Sequence, residues 1–373
     1  FHNRSKDRNW LTPDFNKTLC DQASLATAFL EAYQATKKEK YADAARDALD
    51  YALRNLTAPQ GGFFSAENAS DDGNYYVWTK KEIDSLLGGD AKIFEEYFGV
   101  TAKGNFSGGT NILSIPVPQA EFLKKKNLER TELARIVKDG RKKLFEKRSK
   151  RTRPRLDRDI LTSRNGIMIS SLAFGARVLD DRKYAEAAEK SADFILARLF
   201  RNGTLYRHFR DGKASTPGII DDYAFMSLAL TDMYEAVFDP KWIVSARSIA
   251  DRMIEKFRDE KKGGFKCTPP DGEKSKEICE NGGVAGNAAA AIALFKLARF
   301  TMDEKYEDLA RRTLVAFSGG IKSEPRYFTR MLSALDYETG RSMEIVIAGE
   351  SADPAALDMI RLVNSEFLPG SIL

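Results

Sequence analysis

The chain has 373 residues, 43% of them hydrophobic and 30% charged, with a net charge of +5. That balance builds a sizeable core and excludes a disordered chain, while the lack of any run of about 18 apolar residues excludes a membrane-spanning helix. Three cysteines (Cys20, Cys267, Cys279) exclude a disulfide-dense secreted scaffold, and two histidines (His2, His208) leave little for a zinc site or a histidine triad. No metal or cofactor is expected. The cysteines, outside any CxxC, are expected to be structural or incidental. The first residue is Phe1, so the chain is expected to be a piece of a longer polypeptide, with the cytoplasm as its default compartment.

In chain order, the first periodic segment is the apolar DQASLATAFLEAYQ from Asp21, followed by KYADAARDALDYAL from Lys40. The first suits a helix packed on all sides, and the second keeps its charges on one face, as an outer helix does. Gly61-Gly62-Phe63-Phe64 then turns into an extended piece, and the aromatics through Tyr75, Tyr76 and Trp78 alternate as in a rim strand. Helices are expected near 80–98 and 119–149, around a Gly/Ser/Asn/Pro-rich loop at 104–118. They are the candidates for one divergent hairpin, because 143 residues separate Tyr41 from Tyr184.

The hairpin then recurs. NGIMISSLAFGARVL precedes KYAEAAEKSADFIL from Lys183, DYAFMSLALTDMYEAV precedes KWIVSARSIADRMI from Lys241, and NAAAAIALFKLARF precedes KYEDLARRTLVAF from Lys305. The outer helices open on Tyr41, Tyr184, Trp242 and Tyr306, the last three 58 and 64 residues apart. Gly203 and Gly263 repeat the glycine turn. Residues 324–337 read as helix, 343–348 as a short strand with partners outside the repeat, and a further helix starts near Pro354. The expected division is a barrel over 1–340 and a strand–helix extension over 341–373.

Stacked hairpins with an inner and an outer layer make an α-solenoid or a closed α/α toroid. The long loops between hairpins favour the toroid, where they gather at one rim. Residues 121–158 hold sixteen Lys/Arg against six Asp/Glu, so this segment carries +10 and the rest of the chain −5. Its acids are spaced as on a solvated helix and no aromatic platform interleaves the cations, which argues against a nucleic-acid partner.

Five stretches resemble the YyaL-like family (spermatogenesis-associated protein 20 in animals): FHNRSKDRNWLTPDFNKTLCDQA from Phe1, GGFFSAENASDDGNYYVWT from Gly61, ILTSRNGIMI from Ile160, DDYA from Asp221 and AGNAAAA from Ala285. They run from one end of the chain to the other. The resemblance implies an all-α (α/α)6 toroid, six-hairpin glycosidase-like, with short β-hairpins at the rim and a thioredoxin-like domain upstream. It also implies likeness to N-acylglucosamine 2-epimerases, and hence a carbohydrate-active or carbohydrate-binding barrel. The alternative is a noncatalytic ligand- or protein-binding toroid serving the thioredoxin-like domain. Where the family reads PHFEKMLYDQA, this chain has Asp14 for the His and Asn16 for the Glu; Arg164 replaces the Trp of TSWNG and Asn68 an Asp.

The inner helices begin with Asp21-Gln22, Asn165, Asp222 and Asn287, which a toroid gathers at one mouth. Asp21 and Asp222 then form a candidate acid and base or nucleophile, with Glu67 as a further carboxylate and His208 as a proton shuttle. Trp10, Asn165, Asp221, Tyr223 and Asn287 are the candidate substrate-binding residues for a sugar or small polar ligand. The competing reading is structural: Asp and Asn are favoured helix caps, for which Asn serves nearly as well as Asp, and Glu67 is a solvated loop residue. With His208 as the one histidine away from the N-terminus, a two-histidine epimerase mechanism is hard to build.

Overall fold

The computed structural model describes residues 1–70, 73–267, 286–340, 343–350 and 353–373. The helices are α1 (Leu19–Thr36), α2 (Glu39–Asn55), α3 (Lys80–Leu87), α4 (Ala91–Tyr97), α5 (Gln119–Lys126), α6 (Arg130–Arg148), α7 (Thr162–Leu179), α8 (Arg182–Arg198), α9 (Ile220–Val237), α10 (Lys241–Phe257), α11 (Gly286–Thr301), α12 (Glu304–Ser323), α13 (Thr329–Thr339) and α14 (Pro354–Ser365). The strands are short: β1 (Arg4–Ser5), β2 (Pro13–Asp14), β3 (Lys17–Thr18), β4 (Ala66–Asn68), β5 (Arg155–Asp157), β6 (Ile160–Leu161), β7 (Phe200–Arg201), β8 (Thr204–Arg210) and β9 (Lys213–Pro217). The chain forms two compact units, one of residues 1–18 and 66–157, the other of 19–65 and 158–373.

The larger unit holds the repeat, and the fold is the all-α (α/α)6 toroid class. Its inner layer runs α1, α7, α9, α11, α13, each packed on the next, and α2, α8, α10 and α12 pack outside as expected. The middle inner helices α7, α9 and α11 are packed on nearly every side, and α9 buries thirteen of its eighteen residues, among them Phe225, Met226, Leu228, Ala229, Leu230 and Met233, whereas α1 and α13 bury a minority of theirs. Small residues set the spacing. A Cβ on Gly166 of α7 would lie 2.8 Å from the Phe225 backbone of α9, so only glycine permits that approach. In the outer layer the opening aromatics Tyr184, Trp242 and Tyr306 are fully buried, and the preceding Lys183, Lys241 and Lys305 lie over their rings at 4.6, 4.3 and 4.6 Å. At the rim, β8 pairs with β6, β7 and β9.

Residues 343–373 belong to this unit. Gln34 Nε2 donates to the Asn364 carbonyl at 2.7 Å, and Arg177 Nε to Asn364 Oδ1 at 3.0 Å, which fastens α14 across the inner helices. The strand expected at 343–348 is corrected to a single bridge: Glu344 pairs with Ile372, and the Ile345 N–H reaches the Ile372 carbonyl at 2.9 Å. Its partner is the chain's own tail. The divergent hairpin is corrected as well. Helix α1 packs directly on α7, so no helix of residues 80–149 stands between them. The chain leaves and re-enters the larger unit at one point, where Ser65 Oγ donates to the Asp159 carbonyl at 2.7 Å.

The smaller unit has its own core. Trp78, Ile83, Leu87, Ala91, Phe94, Val100, Ile136 and Leu144 cluster between α3, α4 and α6. Helix α3 opens on a capping box, with Glu82 N–H bonded to Thr79 Oγ1 at 3.2 Å and Thr79 N–H to Glu82 Oε2 at 2.9 Å. Strands β3, β4 and β5 form an antiparallel sheet, and β1 pairs with β2. Of the extended run expected over 61–78, β4 and single bridges at Phe63 and Trp78 form, while Tyr75 and Tyr76 lie in a turn. The basic segment forms α5 and α6, with cations paired along an exposed face, as Arg135 pairs with Asp90 at 3.0 Å. Among the described residues no helix is long and apolar enough to cross a membrane, and no three His, Cys, Asp or Glu side chains group to hold a metal.

Candidate functional site

The extended pieces after the outer helices are each fastened by a residue near the start of an inner helix. Asn165 Oδ1 accepts the Phe63 N–H at 2.7 Å and its Nδ2 donates to the Phe63 and Leu161 carbonyls at 3.0 and 2.9 Å. Asn287 repeats the clamp on Phe265, at 2.8 Å from the N–H and 3.0 Å to the carbonyl. In the intervening repeat the Tyr223 hydroxyl accepts the Leu205 N–H at 2.9 Å. All three side chains are buried. Asn165 and Asn287 therefore hold the backbone of a phenylalanine far away in sequence, a structural role other than the helix caps anticipated for them.

Asp222 has no exposed surface. Its Oδ1 accepts the Ser163 N–H and its Oδ2 the Ile219 N–H, both at 3.0 Å, so one carboxylate caps the first turns of α7 and α9. Burial pushes its pKa up, against the pull of Arg207 at 3.9 Å and the two N–H groups. Its neighbour Asp221 is half-buried, and burial together with the Asp222 charge raises its pKa to about 6. The Gly286 N–H, a donor to Asp221, pulls the other way. With a pKa of about 6, Asp221 exchanges its proton just below physiological pH, well above an ordinary aspartate. Asp21 is half-buried in the first turn of α1. His208 is half-buried in β8, opposite Leu161 and Ser215.

The two other candidates lie in the smaller unit. Glu67 is buried in β4 and ion-paired with Arg153 at 2.6 Å, so it is not the solvated loop carboxylate that its sequence suggested. Trp10 is 83% exposed. Of the departures from the family pattern, Asp14 pairs with Arg4 at 3.1 Å and Asn16 Oδ1 accepts the Ala69 N–H at 3.0 Å. Cys20 is a free thiol pushed up to about 11 by burial, hence unreactive. Cys267 is disulfide-bonded, a structural role. Cys279 lies outside the described residues.

The larger unit also encloses a cavity of about 380 Å³ inside its inner layer, lined by Ser24, Thr27, Glu31, Ser170, Asp232, Lys296, Arg330 and Tyr337, among others. None of the sequence-derived candidates lines it. Lys296 is neutralised there: its Nζ lies 2.5 Å from Asp232 Oδ1 and also contacts Glu235, which Arg177 approaches at 3.3 Å. Arg330 differs. Its guanidinium lies over the Phe225 ring at 4.7 Å, and its Nε is sealed from solvent without a hydrogen-bond partner, as is the Tyr337 hydroxyl. Charged residues inside otherwise apolar inner helices, Asp232 and Glu235 in α9 and Lys296 in α11, were the signal available in the sequence.

No family model matches the chain. It is similar along its whole length to spermatogenesis-associated protein 20, at 29% identity over 416 residues for the human protein and 29% over 419 for the mouse protein, covering 53% of each. An uncharacterised Caenorhabditis elegans protein is 26% identical over 407 residues, with 56% of it covered. The chain thus spans about half the length of the curated relatives it matches. Among solved structures, a GH76 α-mannanase from Bacteroides thetaiotaomicron aligns with a TM-score of 0.48 at 14% identity, covering 94% of this chain and 73% of that one. Cellobiose 2-epimerase from Spirochaeta thermophila aligns at 0.49 and 12%, covering 87% and 75%.

Proposed function

We propose that this chain is the ring portion of a carbohydrate-binding or carbohydrate-active protein, and that the cavity inside its inner layer takes a small hydroxylated ligand. The observation that supports this reading is the pair of sealed, unpartnered groups on α13, Arg330 Nε and Tyr337 Oη, on the wall of that cavity. Buried polar groups are normally satisfied, and a sugar brings donors and acceptors all round its rim. Hydroxyls of Ser24, Thr27 and Ser170 share the space. Asp221, Asp21 and His208 do not line that cavity, so if the barrel is catalytic they serve a separate site at the inner-helix starts, with Asp221, its pKa raised to about 6, as the acid. Asp222, Asn165, Asn287 and Tyr223 then position the helix starts around them.

A second reading, a noncatalytic toroid partnering an upstream thioredoxin-like domain, is favoured by the engagement of the carboxylates. Both oxygens of Asp222 accept backbone N–H groups, and Glu67 is held by Arg153. Calorimetric titration with a panel of mono- and disaccharides, with NMR of each sugar for hydrolysis or epimerisation, separates the two. Binding is expected, and is expected to be lost in Arg330→Met and Tyr337→Phe. Turnover lost in Asp221→Asn supports the enzyme, binding without chemistry selects the noncatalytic toroid, and no binding by any sugar removes the carbohydrate reading.

A further inference from the structure

The smaller unit contains a pocket of about 620 Å³ outside the residues assigned above, except for Trp10 at its lip. Its edge is a turn over residues 5–12 built around one carboxylate. Asp7 Oδ1 accepts the N–H groups of Asn9 and Leu11 at 2.8 and 3.3 Å, Oδ2 accepts that of Thr12 at 2.5 Å, and Ser5 Oγ donates to the Asp7 carbonyl at 2.8 Å. At the tip, Trp10 has φ +58°, a left-handed backbone unfavourable for an aromatic residue, yet its side chain is 83% exposed. No burial offsets that strain, and strain held by a rigid turn is characteristic of binding sites.

Below the turn the walls are aromatic. Phe15 stacks on Tyr76 at 5.9 Å, and the His2 ring meets both edge-on at 5.6 and 4.8 Å. The pocket's charged lining residues are Lys17 and Arg148, with no carboxylate among the described ones. Lys17 Nζ lies over the Tyr76 ring at 4.8 Å, and the Arg148 guanidinium over Tyr75 and Tyr76 at 5.5 and 5.6 Å. Three polar atoms here are sealed from solvent without partners: Arg148 Nε, the Tyr76 hydroxyl and His2 Nδ1. Burial and the Lys17 charge lower the His2 pKa to about 3, so the ring is neutral and offers an acceptor. Aromatic walls, two cations and a set of donor and acceptor atoms without partners suit a ring that carries an acid group.

We propose that this pocket binds a ring compound carrying a carboxylate or phosphate, the ring stacking on Trp10 and the acid group facing Arg148. The inference stands independently of the ring cavity of the larger unit. A sugar acid and an aromatic acid share the required chemistry.

Tryptophan fluorescence of the full chain, titrated with glucuronate, glucose 6-phosphate, benzoate, glucose and inorganic phosphate, tests it. At least one ring acid is expected to give saturable quenching, with glucose and inorganic phosphate about tenfold weaker, the scale of one charge-assisted hydrogen bond. Stronger binding of glucuronate or glucose 6-phosphate than of benzoate assigns a sugar, and the reverse an aromatic acid. Arg148→Gln should weaken that binding about tenfold, and Arg148→Lys, which keeps the charge but not the Nε donor, by less. Trp10→Ala, read by amide NMR shifts, should weaken binding with an unchanged melting temperature. Wild-type affinity in Arg148→Gln, equal binding of glucose or phosphate, or no saturation with any ring acid overturns the proposal.

Discussion

The Tyr184 hydroxyl donates to Asp50 Oδ1 at 2.9 Å, tying the start of outer helix α8 to the preceding outer helix α2. Two hairpins later Tyr306 does the same to Asp251 of α10 at 2.7 Å. Lys183 and Lys305 join the same carboxylates at 3.2 and 3.5 Å. Asp50 and Asp251 each lie nine residues after the opening aromatic of their own helix, so the link belongs to the repeat. Between them Trp242 fills the aromatic position, and its Nε1 is sealed without a partner. Tyr184→Phe and Tyr306→Phe should each lower unfolding stability by about 1 kcal/mol, the net worth of one such bond. Denaturant melts that coincide with wild type would show that the lysines alone hold the layer.

The amide clamps should matter more. Asn165→Ala and Asn287→Ala leave the N–H and carbonyl of a buried phenylalanine without partners, and each should cost about 2–4 kcal/mol. Asn165→Asp should not rescue, because an oxygen then faces the Phe63 and Leu161 carbonyls. Urea denaturation of the three variants decides, and a loss below about 0.5 kcal/mol would contradict the clamp, being no more than an ordinary surface substitution.

Asp222 gives a contrast with an ordinary cap. Both its oxygens accept N–H groups, so in Asp222→Asn an amide nitrogen must face either Ser163 N–H or Ile219 N–H. The variant should lose about 1–3 kcal/mol. Near-silence, the outcome expected of a cap read from sequence alone, would mean that one of the two bonds contributes nothing.

Asp221 sets a pH dependence. Its pKa is about 6 in the folded chain against the ordinary 3.8, so between those values the folded state holds a proton that the unfolded state releases. The contribution of Asp221 to stability therefore falls as pH rises from about 4 to about 6 and then levels. Asp221→Asn keeps an acceptor for the Gly286 N–H and cannot ionise. It should match wild type near pH 4 and exceed it near pH 7.5, by at most about 3 kcal/mol at about 1.4 kcal/mol per tenfold change in proton affinity. Thermal melts at the two pH values test the sign, and a variant weaker than wild type at the higher pH refutes it.

Lys296 answers for two acids, the buried Glu235 and the half-buried Asp232. Replacing it by Met leaves Glu235 to Arg177 and Asp232 to the charge of Arg330, and should cost about 3–5 kcal/mol. Adding Glu235→Gln should recover part of that loss. A double variant no more stable than Lys296→Met would show that the carboxylate charge is not the source of the cost.

The hairpins were legible because periodicity carries them: Tyr184, Trp242 and Tyr306 each open an outer helix, and the all-apolar segments are inner ones. The site was less so. Asn165 and Asn287 look like caps because their type and place suit one, while their partners Phe63 and Phe265 lie 102 and 22 residues away. Arg330 and Tyr337 sit in a short helix outside the repeat, and no local pattern says which way a side chain there faces. The strand expected at 343–348 failed for a related reason. Apolar alternation does not reveal that only one residue of the tail, Ile372, is available to pair.

The contact between Ser65 and Asp159 has an evolutionary consequence. The chain leaves the larger unit after Ser65 and returns before Asp159, two residues that one hydrogen bond joins, and the ninety or so residues between fold with residues 1–18 on a core of their own. Such a locus accepts insertions and losses without repacking α1 against α7. Chains built on this ring are free to differ there in size and in what they recognise, while the hairpins themselves stay in register.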